Sequence, residues 1–243
     1  MNRRLFLKNT GAYTLGICVL PATFTYQIAE YSILELMGKA DIDLFGEDIN
    51  LREEAYQAFL DMRDAARKEG IEIKIVSSFR NFDRQKAIFE RKYERFTEDG
   101  LEPLAAIDKI IEYSTIPGTS RHHWGTDIDI IDGNAPAEGD VLVPEKFGES
   151  GPYGKLKTWM DNYATSFDFH LVYTETPGRR GFKYEPWHYS YAPLSIPMLS
   201  QFRKKNIMEL LLEENIRGME NCTTGFMKTY IQNNILDINP TLL

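Results

Sequence analysis

Apolar residues at Leu51, Ala55, Phe59, Met62 and Ala66 recur every three to four positions, the period of a helix with one buried face. Gly70 follows as a natural stop, so a helix is predicted over 51–68. Ile71, Ile73 and Ile75 then alternate with Glu72 and Lys74, which predicts a half-buried strand over 71–77. The charged segment 83–96, with Ala87, Ile88 and Phe89 inside it, reads as a helix, and 126–131 alternates again as a strand. A further helix is predicted over 151–167, with Leu156, Trp159, Met160 and Tyr163 turned inward. Segments 170–174 and 182–191 read as a strand pair joined by Pro177-Gly178-Arg179-Arg180-Gly181. From 195 to 234 the pattern is helical, broken around 218–224. Helices and strands mix without regular alternation, which points to an α+β fold: a small antiparallel sheet with flanking helices and a C-terminal helical extension.

The 243 residues suit one mid-sized domain or two small ones, and 43% hydrophobic with 26% charged residues argues against wholesale disorder. A net charge of -8 argues against a nucleic-acid partner, because phosphate contacts need clustered Lys and Arg. The start is different in kind. Arg3-Arg4 precedes Leu5-Phe6-Leu7-Lys8, and no further charge appears until Glu30. A basic start followed by the modestly apolar stretch 11–22 resembles a twin-arginine export signal, so 1–22 reads as a signal and the protein as exported to the periplasm or envelope. Thr10, Tyr13, Thr14 and Pro21 make the stretch a poor spanning helix, and a membrane contact is expected only if the segment is retained as an anchor. Leu15-Gly16-Ile17-Cys18 has a bulky Ile17 where a lipoprotein signal has a small residue. Removal of 1–22 takes Cys18 with it and leaves Cys222 as a lone thiol, read as inert because nothing nearby in sequence would activate it.

The candidate chemistry gathers in two short segments. The first runs from Pro117 to Ile130 and holds Ser120, His122, His123, Asp127 and Asp129; the second is Tyr184-Glu185-Pro186-Trp187-His188-Tyr189. A catalytic zinc needs about three protein ligands with one position left for water. His122, Asp129 and His188 would supply two imidazoles and one carboxylate, leaving the site net positive and able to polarise a carbonyl. Glu185 is then the natural base, but positions i and i+3 of a regular strand point to opposite faces. A bulge or an edge position is therefore predicted at Glu185-Pro186. On spacing alone, metal binding and ordinary surface chemistry both stay open.

Ser120-x-His122-x-x-Gly125-x-x-x-Asp129, followed by Glu185-Pro186-Trp187-His188, resembles the VanY-type D-alanyl-D-alanine carboxypeptidases, zinc peptidases of the group that includes lysostaphin-type enzymes and the hedgehog domain. A third block, Ser77-Ser78-Phe79-Arg80-Asn81-Phe82-Asp83-Arg84-Gln85, is similar to the family's Ser-x-x-Arg…Gln segment. The resemblance implies a zinc peptidase domain over 50–193, preceded by a lead-in over 23–49 and followed by the helical extension 194–243. It implies one zinc ion on His122, Asp129 and His188, Glu185 as the base for zinc-bound water, and Arg80 as the oxyanion donor. Gln85 and Ser120 look like substrate contacts. The implied reaction is removal of the terminal D-alanine from peptidoglycan stem peptides. L,D-carboxypeptidase or endopeptidase action at the same site is a second reading, and a non-catalytic zinc domain that binds wall peptide or a protein is a third.

The chain departs from the family pattern at Asp127, where alanine is common. Asp127 and Asp129 share a strand face, so Asp127 is expected to hold a ligand imidazole from behind or to add negative charge near the zinc, while spacing favours Asp129 as the ligand. His123 is expected at the surface or behind the ligands, and His170 in a structural role. Trp124 and Trp187 read as core, and Phe182, Tyr184, Tyr189 and Tyr191 as aromatic strand core before cleft wall. Arg203-Lys204-Lys205 reads as a solvated helix face.

Overall fold

A computed structural model describes residues 30–243; the export-signal and Cys18 readings lie outside the described residues. The short helix α1 (Ile33–Leu36) precedes α2 (Glu53–Lys68), which begins with Glu53 and Glu54 and ends with Arg67 and Lys68. Those charges complement the helix dipole at each end. β1 (Ile73–Ser77) follows, then α3 (Phe82–Glu98), capped by Asn81, whose side-chain oxygen accepts from the Arg84 N–H at 2.9 Å. α4 (Pro103–Ile110) was not predicted, although Pro103 is a residue favoured in a first helical turn. The chain continues through β2 (Asp127–Asp132), α5 (Gly154–Tyr163), β3 (Phe169–Leu171) and β4 (His188–Tyr191). It closes with α6 (Ala192–Phe202), α7 (Ile207–Leu212) and α8 (Thr224–Tyr230).

The strands form one antiparallel sheet in the order β1-β2-β4-β3. The α+β expectation, with a small antiparallel sheet and flanking helices, is what the chain adopts. The predicted strand over 182–191 is shorter than expected. Residues 182–187 run as loop and turn, closed by the His188 N–H donating to Glu185 O at 3.1 Å, and only 188–191 joins the sheet. Pro186 has no N–H to give a ladder, which is consistent with pairing that begins beyond it.

Alternation along β2 and β4 divides the sheet into two unlike faces. Ile128, Ile130, Tyr189 and Tyr191 face α2 and α5, packing against Phe59, Met62, Leu156 and Trp159. Asp127, Asp129, His188 and Ser190 take the opposite face. Asp129 pairs with His188, and Asp127 with Ser190, across the two strands. That polar face is buried as well, and a second apolar cluster forms apart from the α2 and α5 layer. This cluster draws Leu36 from α1, Phe89 from α3, Ile107 from α4, and Phe202, Leu211 and Tyr230 from the C-terminal helices. Residues from the 194–243 segment thus share one apolar cluster with α1, α3 and α4.

Candidate metal centre and active site

Two turns and two strand positions assemble the site. Ser120 caps a turn of 3-10 helix over Arg121–Trp124, its hydroxyl accepting from the His122 N–H at 3.3 Å, and Gly125 ends the turn with φ +68° before β2 begins. A side chain at Gly125 would be strained by that φ and would meet Leu44 Cδ2 at 3.1 Å. The turn carries His122, β2 carries Asp129, and β4 begins on His188. One nitrogen of each imidazole and a carboxylate oxygen of Asp129 lie within 4.8 Å of one another.

Each imidazole has its other nitrogen occupied. His122 Nδ1 lies 2.8 Å from Ser78 O, which leaves Nε2 towards Asp129 Oδ2 at 3.3 Å. His188 Nε2 lies 2.9 Å from Asp127 Oδ2, which leaves Nδ1 towards Asp129 Oδ1 at 3.8 Å and Glu185 Oε2 at 2.9 Å. Arms of ~2.0–2.1 Å in a tetrahedral zinc site set ligand atoms roughly 3.4 Å apart. The Asp129 carboxylate oxygens stand 3.3 and 3.8 Å from the two free nitrogens, near that spacing. Asp129 Oδ1 is buried with no hydrogen-bond partner among the described residues, an unusual state for a buried carboxylate oxygen. A carboxylate oxygen whose partner is a metal ion presents that state, so the donor set fits a zinc ion.

The electrostatics agree. Burial alone would lower the His188 pKa, but hydrogen bonds to Asp127 and Glu185 and the charge of Asp129 outweigh it and push it up to about 10. Three carboxylates around one imidazole form the negative surround that a divalent cation would neutralise. Burial would raise Asp129, yet His122, His188 and Arg80 hold its carboxyl below the usual range. Burial and nearby Arg80 keep His122 on the low side despite Asp129. Glu185 goes the other way: burial raises it, against the opposing pull of His188 and Arg80.

Glu185 sits in the turn before β4, its N–H donating to Tyr173 O at 3.1 Å. This turn does what the predicted bulge or edge position was expected to do: it brings Glu185 and His188 to one side. Arg80 follows β1, where the pairing with β2 bulges between Ile75 and Ser77. Its guanidinium donates to Gln85 Oε1 at 2.7 Å and Ser77 Oγ at 3.1 Å, and lies 3.9 Å from Asp129 Oδ2.

Sequence reasoning placed some neighbours differently. Gln85, expected at the substrate, is fully buried behind Arg80 in this structure. Its amide nitrogen donates to Thr115 O at 2.8 Å while its oxygen accepts from Arg80, so here it aims the arginine. Ser120 does line the cavity, besides capping the His122 turn. A surface position for His123 is overturned, because it is fully buried. The Gly118 N–H donates to its Nε2 at 3.1 Å, which leaves Nδ1–H to donate to Arg80 O at 2.5 Å. Burial first, then the charges of Arg80 and His122, lowers it to about 3, so the ring is neutral. The Arg80 N–H also donates to His122 O at 3.0 Å, so one turn ties the arginine to a candidate ligand.

Asp127 does lie behind His188. Arg121 donates to Asp127 Oδ2 from Nε at 2.9 Å and to Ser190 Oγ from the guanidinium at 2.6 Å, and Ser190 donates to Asp127 Oδ1 at 2.7 Å. Arg121 and Ser190 were missed. The only signals were the place of Arg121 between Ser120 and His122 and that of Ser190 one strand period beyond His188. Trp124 is core, donating to Leu36 O at 3.0 Å. Trp187 packs on Phe147 with ring centroids 5.7 Å apart and also lines the cavity, as Phe182 does. His170, on β3, contacts Thr241 Oγ1 at 3.3 Å. Burial pushes the Cys222 thiol up to about 11, in keeping with an inert cysteine.

Arg80, His122, Asp129, Glu185 and His188 all border one open cavity of about 670 Å³, walled by Tyr113, Tyr173 and Trp187. A carboxylate, a guanidinium and a candidate metal site facing one cleft can cleave an acyl bond by adding water.

The family "VanY: D-alanyl-D-alanine carboxypeptidase" matches residues 48–194. A Bacillus subtilis protein called putative carboxypeptidase YodJ is 33% identical over 142 residues, covering 58% of this chain and 46% of that protein. An Enterococcus faecalis D-alanyl-D-alanine carboxypeptidase is 26% identical over 147 residues, covering 60% of this chain and 49% of that protein. The chain thus matches about half the length of each of these two relatives. The vancomycin-resistance D,D-pentapeptidase VanY, solved as a mutant with Zn(II), superposes with a TM-score of 0.51 at 21% identity, covering 70% of this chain and 90% of that one.

Proposed function

The chain belongs to the VanY D-alanyl-D-alanine carboxypeptidase family, and from that premise we propose that it removes the terminal D-alanine of peptidoglycan stem peptides with one zinc ion held by His122, Asp129 and His188. The observation that carries the reading is Glu185 beside His188 and Arg80 beside Asp129, with His122, in a single cavity. Zinc, when bound, supplies Lewis acidity to the scissile carbonyl and lowers the pKa of water towards ~7.

Glu185 takes a proton from the attacking water at its carboxylate as the new C–O bond forms and the carbonyl π electrons move onto oxygen. Glu185 then delivers that proton to the nitrogen of the departing D-alanine, and the C–N bond breaks as the carbonyl re-forms. Its raised pKa suits a group that must accept a proton and give it up again. Arg80, fixed by Gln85 and Ser77, keeps further N–H groups free for the charge that develops on the carbonyl oxygen. A donor fixed before the reaction needs no reorganisation as that charge appears. Asp127 and the Ser78 carbonyl hold the two imidazoles in the tautomers that leave His188 Nδ1 and His122 Nε2 free. A purely binding domain would need neither Glu185 nor Arg80 in these positions.

An exported location belongs to the same proposal: stem peptides lie outside the cytoplasm, and 1–22 has the twin-arginine pattern. No helix among the described residues is long and apolar enough to cross a membrane.

The test incubates zinc-loaded protein with pentapeptide and tetrapeptide muropeptides, with and without chelator, beside Glu185→Ala. Loss of one alanine from the pentapeptide alone, abolished by chelator and by the variant, is the expected result. Loss from the tetrapeptide moves the activity to the L,D bond, and no turnover of either overturns the hydrolytic reading.

A further inference from the structure

The cavity holds a cation that the chemistry above does not use. Ile88, Lys92, Arg95 and Phe96 border it at the i, i+4, i+7, i+8 positions of one stripe of α3. The other cavity cations are engaged. Arg80 bonds Gln85 and Ser77, Arg121 bonds Asp127 and Ser190, Lys109 bonds Glu112, and Arg95 lies over the Phe96 ring at 4.7 Å. Lys92 is half-buried and makes no hydrogen bond, ion pair or ring contact among the described residues. Burial, then the charges of Arg80 and Arg95, pulls its pKa below the ordinary lysine value, with Glu185 the one acid pulling the other way. An ammonium so placed is short of negative charge, and a carboxylate arriving in the cavity would supply it.

Given the proposed peptidase reading, on which this rests, we infer that Lys92 binds a carboxylate of the substrate peptide in the same cavity as Arg80 and Glu185. Stem peptides offer two sources, the α-carboxylate of the terminal residue and the free carboxylate within the chain. In the first case Lys92 is what makes the enzyme a carboxypeptidase, because an internal peptide bond brings no such group. In the second it selects the wall peptide by its body.

Three synthetic pentapeptides separate these cases: L-Ala-γ-D-Glu-L-Lys-D-Ala-D-Ala, its C-terminal amide, and its D-isoglutamine analogue. Turnover is measured on wild type, Lys92→Met and Lys92→Arg, and binding by calorimetry on zinc-loaded Glu185→Gln with and without Lys92→Met. The expected result is a KM and Kd at least about tenfold higher for the parent peptide in Lys92→Met, with kcat within about threefold and substantial recovery in Lys92→Arg. Amidating the recognised carboxylate should cost wild type the same factor and Lys92→Met nothing further. The amide that behaves this way names the source. Equal KM and Kd in wild type and Lys92→Met for all three peptides overturns the inference, as does binding to no peptide. Lys92-dependent binding without turnover by wild type keeps the carboxylate site and sinks the hydrolytic reading instead.

Discussion

β2 and β4 carry two chemistries on the two sides of the same backbone. Ile128, Ile130, Tyr189 and Tyr191 on one side meet α2 and α5 in a packed apolar layer. Asp127, Asp129, His188 and Ser190 on the other side are no more exposed, yet they are polar or ionisable. Apolar side chains need only contact to be stable inside, whereas buried charges need partners. The polar face meets that need at Asp127, which has Arg121, Ser190 and His188 around it, and leaves it unmet at Asp129 Oδ1. The unmet place is where a zinc ion fits. Stability and chemistry are thereby separated by a single residue step along one strand.

Substitutions one step apart should break this comparison if it is wrong. Asp129→Ala should give the largest effect: zinc retention lost by elemental analysis and hydrolysis below detection, with the fold intact by circular dichroism. Glu185→Gln should keep zinc but lower kcat by roughly 10²–10⁴-fold. Asp127→Ala should hold zinc about 10–100-fold more weakly in a chelator competition, since it removes only the group behind His188. It also strands the buried Arg121 guanidinium, so its melting temperature should fall too. Retained zinc in Asp129→Ala, with loss in Asp127→Ala, would reverse the assigned roles.

On the apolar side, Ile130→Ala should cost about 2–5 kcal/mol of stability in denaturant titration while the folded protein keeps kcat and zinc. At the small end, Lys183→Ala, which removes an exposed ion pair with Glu112, should leave both melting and activity unchanged.

Most of the candidate site was legible, and the reasons are local. His122, Asp129, Glu185 and His188 stand in two short segments whose spacings match a known pattern, and the requirement that Glu185 leave the strand followed from its distance to His188. β1, β2 and the long helices α2 and α3 declared themselves by period. The loop over 182–187 did not, because its aromatic residues alternate like a strand while Pro186 and the Glu185–His188 turn delay pairing until His188. α4 is eight residues long and too short to stand out by period. Gln85 shows a different limit: its place in the motif is visible, but whether its amide points at a ligand or at Arg80 depends on Thr115, 30 residues away. His123 is the same case, since its burial comes from Arg80 and Gly118 folding onto its ring.

The sequence by itself determined which residue types face each side of the sheet, because side-chain period is a local property of the backbone. It also carried the candidate ligand set, His122, Asp129 and His188, and the candidate base Glu185, in two short segments. Only the tertiary structure decided what stands behind those residues: Ser78 on His122, Asp127 with Arg121 and Ser190 on His188, and Gln85 with His123 on Arg80. It decided as well that residues from the 194–243 segment join α1, α3 and α4 in one apolar cluster, and that Lys92 borders the same cavity without a partner among the described residues. Such pairings join elements distant along the chain. They are set by which surfaces pack together, and no local period encodes that.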